Sequence, residues 1–341
     1  VAKATDLAAL RQTLSSHQTA SPARSLGQIA SSFLPFLGLC GVMYATLGVS
    51  FWLTLALSVP AAGFLVRIFI IQHDCGHGAF FRSRTTNDWV GRLCSLATLA
   101  PYANWRRQHA AHHANWNNLD RRESGEDIYS ACLTTHEYRR LSPLRRVRYR
   151  FLRHPAVALI ILPPLVFLLV YRFPFDTPAH WRRERLSVHA TNLVLAAAIV
   201  GLGLVVGFGA MARVQLPIMV IASVIGVWLF SVQHRFEAAH WFVRDEWSVA
   251  GASLRGTSYL RLPAILQWFT GNIGFHHVHH LNPRIPNYRL AACHAASRQL
   301  QQAPTLTLRD ALKAAAYWLW DDAQGRMVRF RDCPTNGDRQ R

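Results

Sequence analysis

Two stretches of this chain leave little choice about where it can fold. "FLPFLGLCGVMYATLGVSFWLTLALSVPAAGFLVRIFII" (33–71) and "NLVLAAAIVGLGLVVGFGA" (192–210) are nearly unbroken apolar runs. About 20 such residues cross a bilayer core as a helix, and only helices and closed barrels satisfy their backbone groups in lipid. The chain is 51% hydrophobic and only 16% charged, against roughly 25% charged in soluble domains. These observations predict a polytopic membrane protein. The first 28 residues are polar and lack a short apolar stretch with a cleavage site, so no signal peptide is expected there.

Lys and Arg outnumber Asp and Glu by 37 to 18. The cations flank apolar blocks, which ties them to lipid headgroups and the positive-inside rule, not to nucleic acid. The six cysteines form no CxxC pair and read as isolated reduced thiols.

The hydropathy pattern places spans at about 29–48, 51–72, 188–210 and 216–232, with "MARVQLP" joining the last two. The block at 89–105 is too short to cross and reads as interfacial or re-entrant. The block at 155–171 carries Pro163 and Pro164 at its centre and basic loops on both flanks, one with seven arginines between Arg139 and Arg153. The charge rule favours a segment that dips and returns. Four spans then put both termini and every histidine cluster on the cytoplasmic side. The predicted fold is all-α: a polar N-terminal segment (1–28), a membrane domain (29–295) and a cytoplasmic C-terminal segment (296–341), with a helical cap carrying the histidines. In the tail, "TLTLRDALKAAAYWLWDD" (305–322) reads as an amphipathic helix with a Thr cap.

Seventeen histidines are present, and three clusters stand out. "HDCGH" supplies His73 and His77, "HAAHH" supplies His109, His112 and His113, and "HHVHH" repeats the same HxxHH spacing at His276, His279 and His280. Positions i, i+3 and i+4 share one helix face, so each cluster aims its imidazoles together, as metal ligands must. Eight imidazoles exceed what one ion takes, whereas two ions with four or five nitrogens each fit the number. Imidazole suits Fe, Zn, Cu and Ni alike, so ligand type leaves the metal open. His234, in "VQHRFEAAHW" at the end of the last span, is a ninth candidate. Glu237 three residues on, and Asp74 inside the first box, are candidate carboxylates that orient ligating rings. His240, at i+6 from His234, and His277, one step off the register of its box, read as structural.

In order and wording these boxes resemble the membrane-bound fatty acid desaturases and their hydroxylase relatives. "HDCGHGAF", "VQHRFE" and "FHHVHHLNPRIPNYRL" are similar to the acyl-lipid branch that includes the delta-12 and omega-3 enzymes, and the resemblance covers roughly residues 30–295. It implies two iron ions, molecular oxygen as co-substrate and a cis double bond made in a fatty acyl chain of a membrane lipid. It also implies an iron-ligand role for His73, His77, His109, His112, His113, His276, His279 and His280, with His234 as the further ligand that the family draws from the segment before its third box. Some relatives carry a fused haem domain with an HPGG motif; here the only HP pair is His154–Pro155 in "RHPAV". A separate ferredoxin-like or cytochrome b5-like electron donor is therefore expected, in the setting of a bacterial inner membrane. The rival outcomes are a hydroxylase on the same scaffold, a zinc-dependent membrane hydrolase, which needs only three or four ligands, and a metal transporter, which needs ligands at mid-membrane depth.

Overall fold

The computed structural model describes residues 4–124 and 131–333. A first helix, α1 (Ala4–Ser16), precedes α2 (Pro22–Thr46) and α3 (Phe51–His77). The next two, α4 (Arg84–Thr98) and α5 (Tyr102–Asn115), are shorter. α6 (Thr135–Arg140), α7 (Pro143–Leu152) and α8 (Leu162–Leu168) lead to the long pair α9 (Arg182–Val206) and α10 (Phe208–Val232). Among the described residues, four helices are long and apolar enough to cross a membrane: α2, α3, α9 and α10, of 25, 27, 25 and 25 residues. At about 1.5 Å per residue each exceeds the roughly 30 Å hydrocarbon layer. α3 and α10 are the inner pair. They pack against each other through Leu65, Ile68, Ile218 and Ala222, while α9 turns Leu193, Leu204 and Val205 outward.

Several span boundaries differ from the hydropathy pattern: α3 runs on to His77, past position 72, and α9 begins at Arg182, ahead of position 188. α2 begins at Pro22, seven residues before position 29, because Pro22 sits in the first turn, where its missing N–H costs nothing. The connection between the last two spans is a single residue, Gly207, with φ +84°, and not the "MARVQLP" segment, which lies inside α10. Gly203 permits that tight return: a Cβ there would lie 2.3 Å from the Phe208 ring.

α4 spans only 15 residues, about 22 Å. It leaves Trp89 and Leu93 exposed and turns at Leu99 into α5. The 155–171 block is a broken helix: a π turn at Val157–Ile161 precedes α8, and the whole is bent by 49° from α7. Pro163 and Pro164 occupy the first turn of α8, so two backbone donors are missing where the helix winding changes.

Beyond Val232 the chain forms short elements joined to the ends of α3, α5 and α10. These are α11 (Val249–Gly256), α12 (Ala264–Phe269), α13 (His276–Leu281), α14 (Asn287–Ala295), α15 (Arg298–Gln301) and α16 (Leu308–Ala314). Among the described residues five short strands accompany them: β1 (Leu133–Thr134), β2 (Tyr259–Leu260), β3 (Thr305–Leu306), β4 (Tyr317–Asp321) and β5 (Arg326–Arg329). β4 pairs parallel with β1 and antiparallel with β5, and β2 pairs parallel with β3. The fold is therefore mostly helical with two small open sheets.

The single helix expected over 305–322 is replaced by strand, helix and strand. Its Thr cap is present at Thr307, which forms a reciprocal capping box with Asp310. The aromatic run that follows extends instead, burying Trp318, Leu319 and Trp320. The described parts of both terminal segments contribute to the core. Leu10 and Leu14 of α1 pack with Val278, Ile285 and Leu290 beside the third histidine box. Arg235, fully buried just past α10, donates to the Tyr317 carbonyl at 2.8 Å and lies 3.1 Å above the Trp318 ring. Residues 1–3 and 334–341, the outermost parts of the two predicted terminal segments, lie outside the described residues.

Candidate metal centre

α3 ends in "HDCGH", where Gly78 at φ +69° stops the helix. His73 and His77 are one turn apart there and project together. α5 presents His109, His112 and His113. His234 follows the last turn of α10, and the six-residue helix α13 carries His276, His279 and His280. The structure brings all nine imidazoles together in two groups. His73, His77, His109, His113 and His279 form one. His112, His234 and His280 form the other, and within each group the ligand nitrogens lie within 4.8 Å of one another. His276 joins the second group, with its Nε2 2.9 Å from that of His234 and 3.1 Å from that of His280.

The boxes do not map one to one onto the groups. In α5 the i, i+4 pair His109 and His113 enters the five-membered group and His112 enters the other. In α13 the assignment is reversed: His276 and His280 face the second group and His279 the first. Every HxxHH helix thus contributes to both.

The donor chemistry fits metal ions. His113 Nε2 lies 3.2 Å from His109 Nε2 and 3.0 Å from His279 Nε2. His234 Nε2 lies 3.2 Å from His112 Nε2. A neutral imidazole has one proton for its two nitrogens, so several lone pairs converge without enough protons to bridge them. A cation at each focus resolves this. Ligands of one ion about 2.1 Å away lie at most about 4.2 Å apart, so the rings need draw in by only a few tenths of an ångström. No carboxylate is a member of either group, among the described residues.

Burial, reinforced by neighbouring imidazoles, holds His109, His113, His234, His276, His279 and His280 well below the ordinary histidine pKa. The folded chain keeps them neutral, whereas unfolded imidazoles take protons near 6.5. The folded state therefore binds fewer protons, and its stability is full above that pH and lost as pH falls below it. Thermal unfolding of chelator-treated protein, followed from pH 7.5 to 5.5, should show a steadily falling midpoint; a flat profile contradicts the buried neutral cluster.

The neighbours sort clearly. Asp74 Oδ1 is 3.1 Å from His73 Nδ1, with both side chains buried. Glu237 does not serve His234. Its carboxylate accepts from the Tyr317 hydroxyl at 2.8 Å and pairs with Arg326 at 2.5 Å. His234 Nδ1 is buried without a hydrogen-bond partner among the described residues. The chain leaves the helix after Val232, so the i+3 relation no longer puts both side chains on one face. His277 turns away from both groups, with its Nε2 3.0 Å from His294 Nδ1. His240 lies apart, with Arg255 and Trp320.

A cavity of about 420 Å³ opens beside the site, in the usual size range for small-molecule pockets. Its lining includes His73, His109, His112 and His276, together with Leu65, Val66, Met219 and Ala222 of α3 and α10. Gln108 and Asp176, joined at 2.9 Å, line it as well. Aromatic side chains pack on the histidines of the two groups: Trp105 stacks on His109 at 4.8 Å and Trp116 lies 4.4 Å from His280. The sequence carries no signal for these residues, because apolar side chains in a membrane helix look alike whether they face lipid or a cavity.

Residues 16–310 match the family model for fatty acid desaturase. A fatty acid desaturase of Bacillus subtilis (strain 168) is 44% identical over 307 residues, 90% of this chain and 86% of the relative. An sn-1 oleoyl-lipid 12-desaturase of Picosynechococcus sp. is 28% identical over 75% of this chain and 72% of its own length. An sn-1 acyl-lipid omega-3 desaturase (ferredoxin) of Synechocystis sp. is 27% identical over 65% of this chain and 61% of its own.

Proposed function

Since the chain belongs to the fatty acid desaturase family, we propose that it introduces a cis double bond into a fatty acyl chain of a membrane lipid, with two iron ions held by nine histidines. The observation that carries this reading is the meeting of two nitrogen foci with an apolar cavity between the membrane-length helices α3 and α10. Iron supplies the redox chemistry with oxygen that an unactivated methylene C–H bond demands and no acid or base side chain provides. His73, His77, His109, His113 and His279 hold one ion, and His112, His234, His276 and His280 the other.

The protein's own part is placement. α3 and α10 give the acyl chain an apolar slot lined by Leu65, Val66 and Met219, which excludes water from the reacting carbons. The histidines that line the slot, His73, His109, His112 and His276, would hold ions within reach of the chain. Electrons come from a separate donor of the ferredoxin or cytochrome b5 kind, attracted by the cationic surface. The site and both termini face the cytoplasm, consistent with the arginine-rich 139–153 segment. The setting is a bacterial inner membrane.

Expression in a host of defined lipid composition tests the reaction. Mass analysis should show acyl chains lighter by two hydrogens. Gain of an oxygen atom would instead identify a hydroxylase, and one zinc per chain with oxygen-independent turnover a hydrolase.

A further inference from the structure

The carboxylate of Asp74 joins two parts of the chain 213 residues apart. Its Oδ1 meets His73 Nδ1 at 3.1 Å. Its Oδ2 accepts two hydrogen bonds from Asn287, from the backbone N–H at 2.7 Å and from the side-chain Nδ2 at 2.8 Å. The three residues are buried, at 4%, 2% and 1% exposure for His73, Asp74 and Asn287. Asn287 opens α14, directly after Pro286 with φ −60°, so its N–H is one of the unpaired donors of a helix start. Asp74 caps that helix from the end of another.

We propose that Asn287 is a positioning residue for the metal centre. It fixes the Asp74 carboxylate, which fixes the tautomer and ring angle of His73. This rests on the reading of His73 as a metal ligand. In the tautomer that carries its proton on Nδ1, His73 donates to Oδ1 and leaves the Nε2 lone pair for the five-nitrogen group. Oδ2 is held by two donors, so the carboxylate plane cannot turn without breaking charge-assisted bonds in a buried place. Asn272, whose Nδ2 donates to the Asn287 carbonyl at 3.3 Å, steadies the arrangement. The segment "LNPRIPNYRL" therefore reaches from the third histidine box back to the first.

The neighbouring Tyr288 supplies the control. Its hydroxyl accepts from Ser21 N–H at 2.9 Å and lies 3.1 Å from Ser25 Oγ, so it anchors the same segment without touching Asp74. The full chain and the variants Asn287→Ala, Asn287→Asp and Tyr288→Phe are purified in detergent and loaded anaerobically with Fe(II). Bound iron, iron loss to a competing chelator and the visible spectrum of the Co(II)-loaded protein are then measured.

Wild type should hold two ions. Asn287→Ala loses one bond to Oδ2. Asn287→Asp also sets a second acid against Asp74, and should weaken iron retention the more, by about 10- to 100-fold, with an altered Co(II) spectrum. Tyr288→Phe should keep wild-type iron retention and spectrum. Combining Asp74→Asn with Asn287→Asp exchanges amide and acid and should recover part of the loss. If Asn287→Asp does not yield folded protein, Asn287→Ala, which adds no charge, decides alone. Wild-type iron retention and spectrum in the Asn287 variants overturn the inference, as does equal iron loss in Tyr288→Phe. A wild-type chain that binds no metal refutes the ligand reading itself, and this inference falls with it.

Discussion

Replacing His113 with alanine should reduce desaturation to background and cost the chain bound iron. His113 Nε2 stands between those of His109 and His279, at 3.2 and 3.0 Å, and its ring stacks on His280 at 4.2 Å. The change removes one of five donors from the first group and a wall of the second. The surviving nitrogens cannot close on the gap, because they are fixed on three helices, α3, α5 and α13. His277→Ala makes the comparison. That imidazole is fully buried, but it pairs with His294. Its loss should cost about 1–3 kcal/mol of stability from a broken buried bond and a small void, while leaving the iron content at wild-type level. Iron analysis and acyl-lipid profiling of the two variants side by side check this. A dead His277→Ala beside an active His113→Ala would invert the register of the ligands.

The second large effect concerns the slot. Gly226 lines the cavity on α10, and a Cβ built there meets no atom within 4 Å. Gly226→Leu therefore fills space that is open, and removing a helix-interior glycine should hold or raise helix stability by up to about 1 kcal/mol. Stability and function should separate: a melting temperature at or above wild type, with acyl-lipid desaturation down at least about tenfold, the cost of losing roughly 1.4 kcal/mol of substrate placement. Iron content should not change. If profiling shows the wild-type yield and the same products, the acyl chain runs elsewhere.

The parts of this molecule that could be read from sequence are those governed by local spacing. The four spans follow from runs of apolar residues, and the convergence of the histidines follows from i, i+4 arithmetic on α3, α5 and α13. What lay hidden depends on distant partners or on one backbone angle. Gly207 takes a positive φ that puts the final turn ahead of the "MARVQLP" segment, and hydropathy cannot see it. The run at 317–321 is apolar with no decisive period, and becomes a strand because Leu133–Thr134 offers an edge. Glu237 looked like a partner of His234 only if the helix continued, and it ends at Val232. Asp74 was legible as an orienting carboxylate, whereas what holds it, Asn287, was not, since nothing in the intervening chain links them.

The division of each HxxHH helix between two foci has a consequence for how such a centre is taken apart. The sequence looks modular, three boxes that could be swapped or deleted in turn. In space the modularity is absent. Sliding α5 or α13 by a fraction of an ångström displaces nitrogens of both foci at once, so the separation of the foci is a property of the packing between helices and not of any box. Deleting either HxxHH cluster leaves neither focus complete, and no transplanted box carries a whole one with it. The unit of inheritance here is the crossing of the helices, with the histidines as its readout.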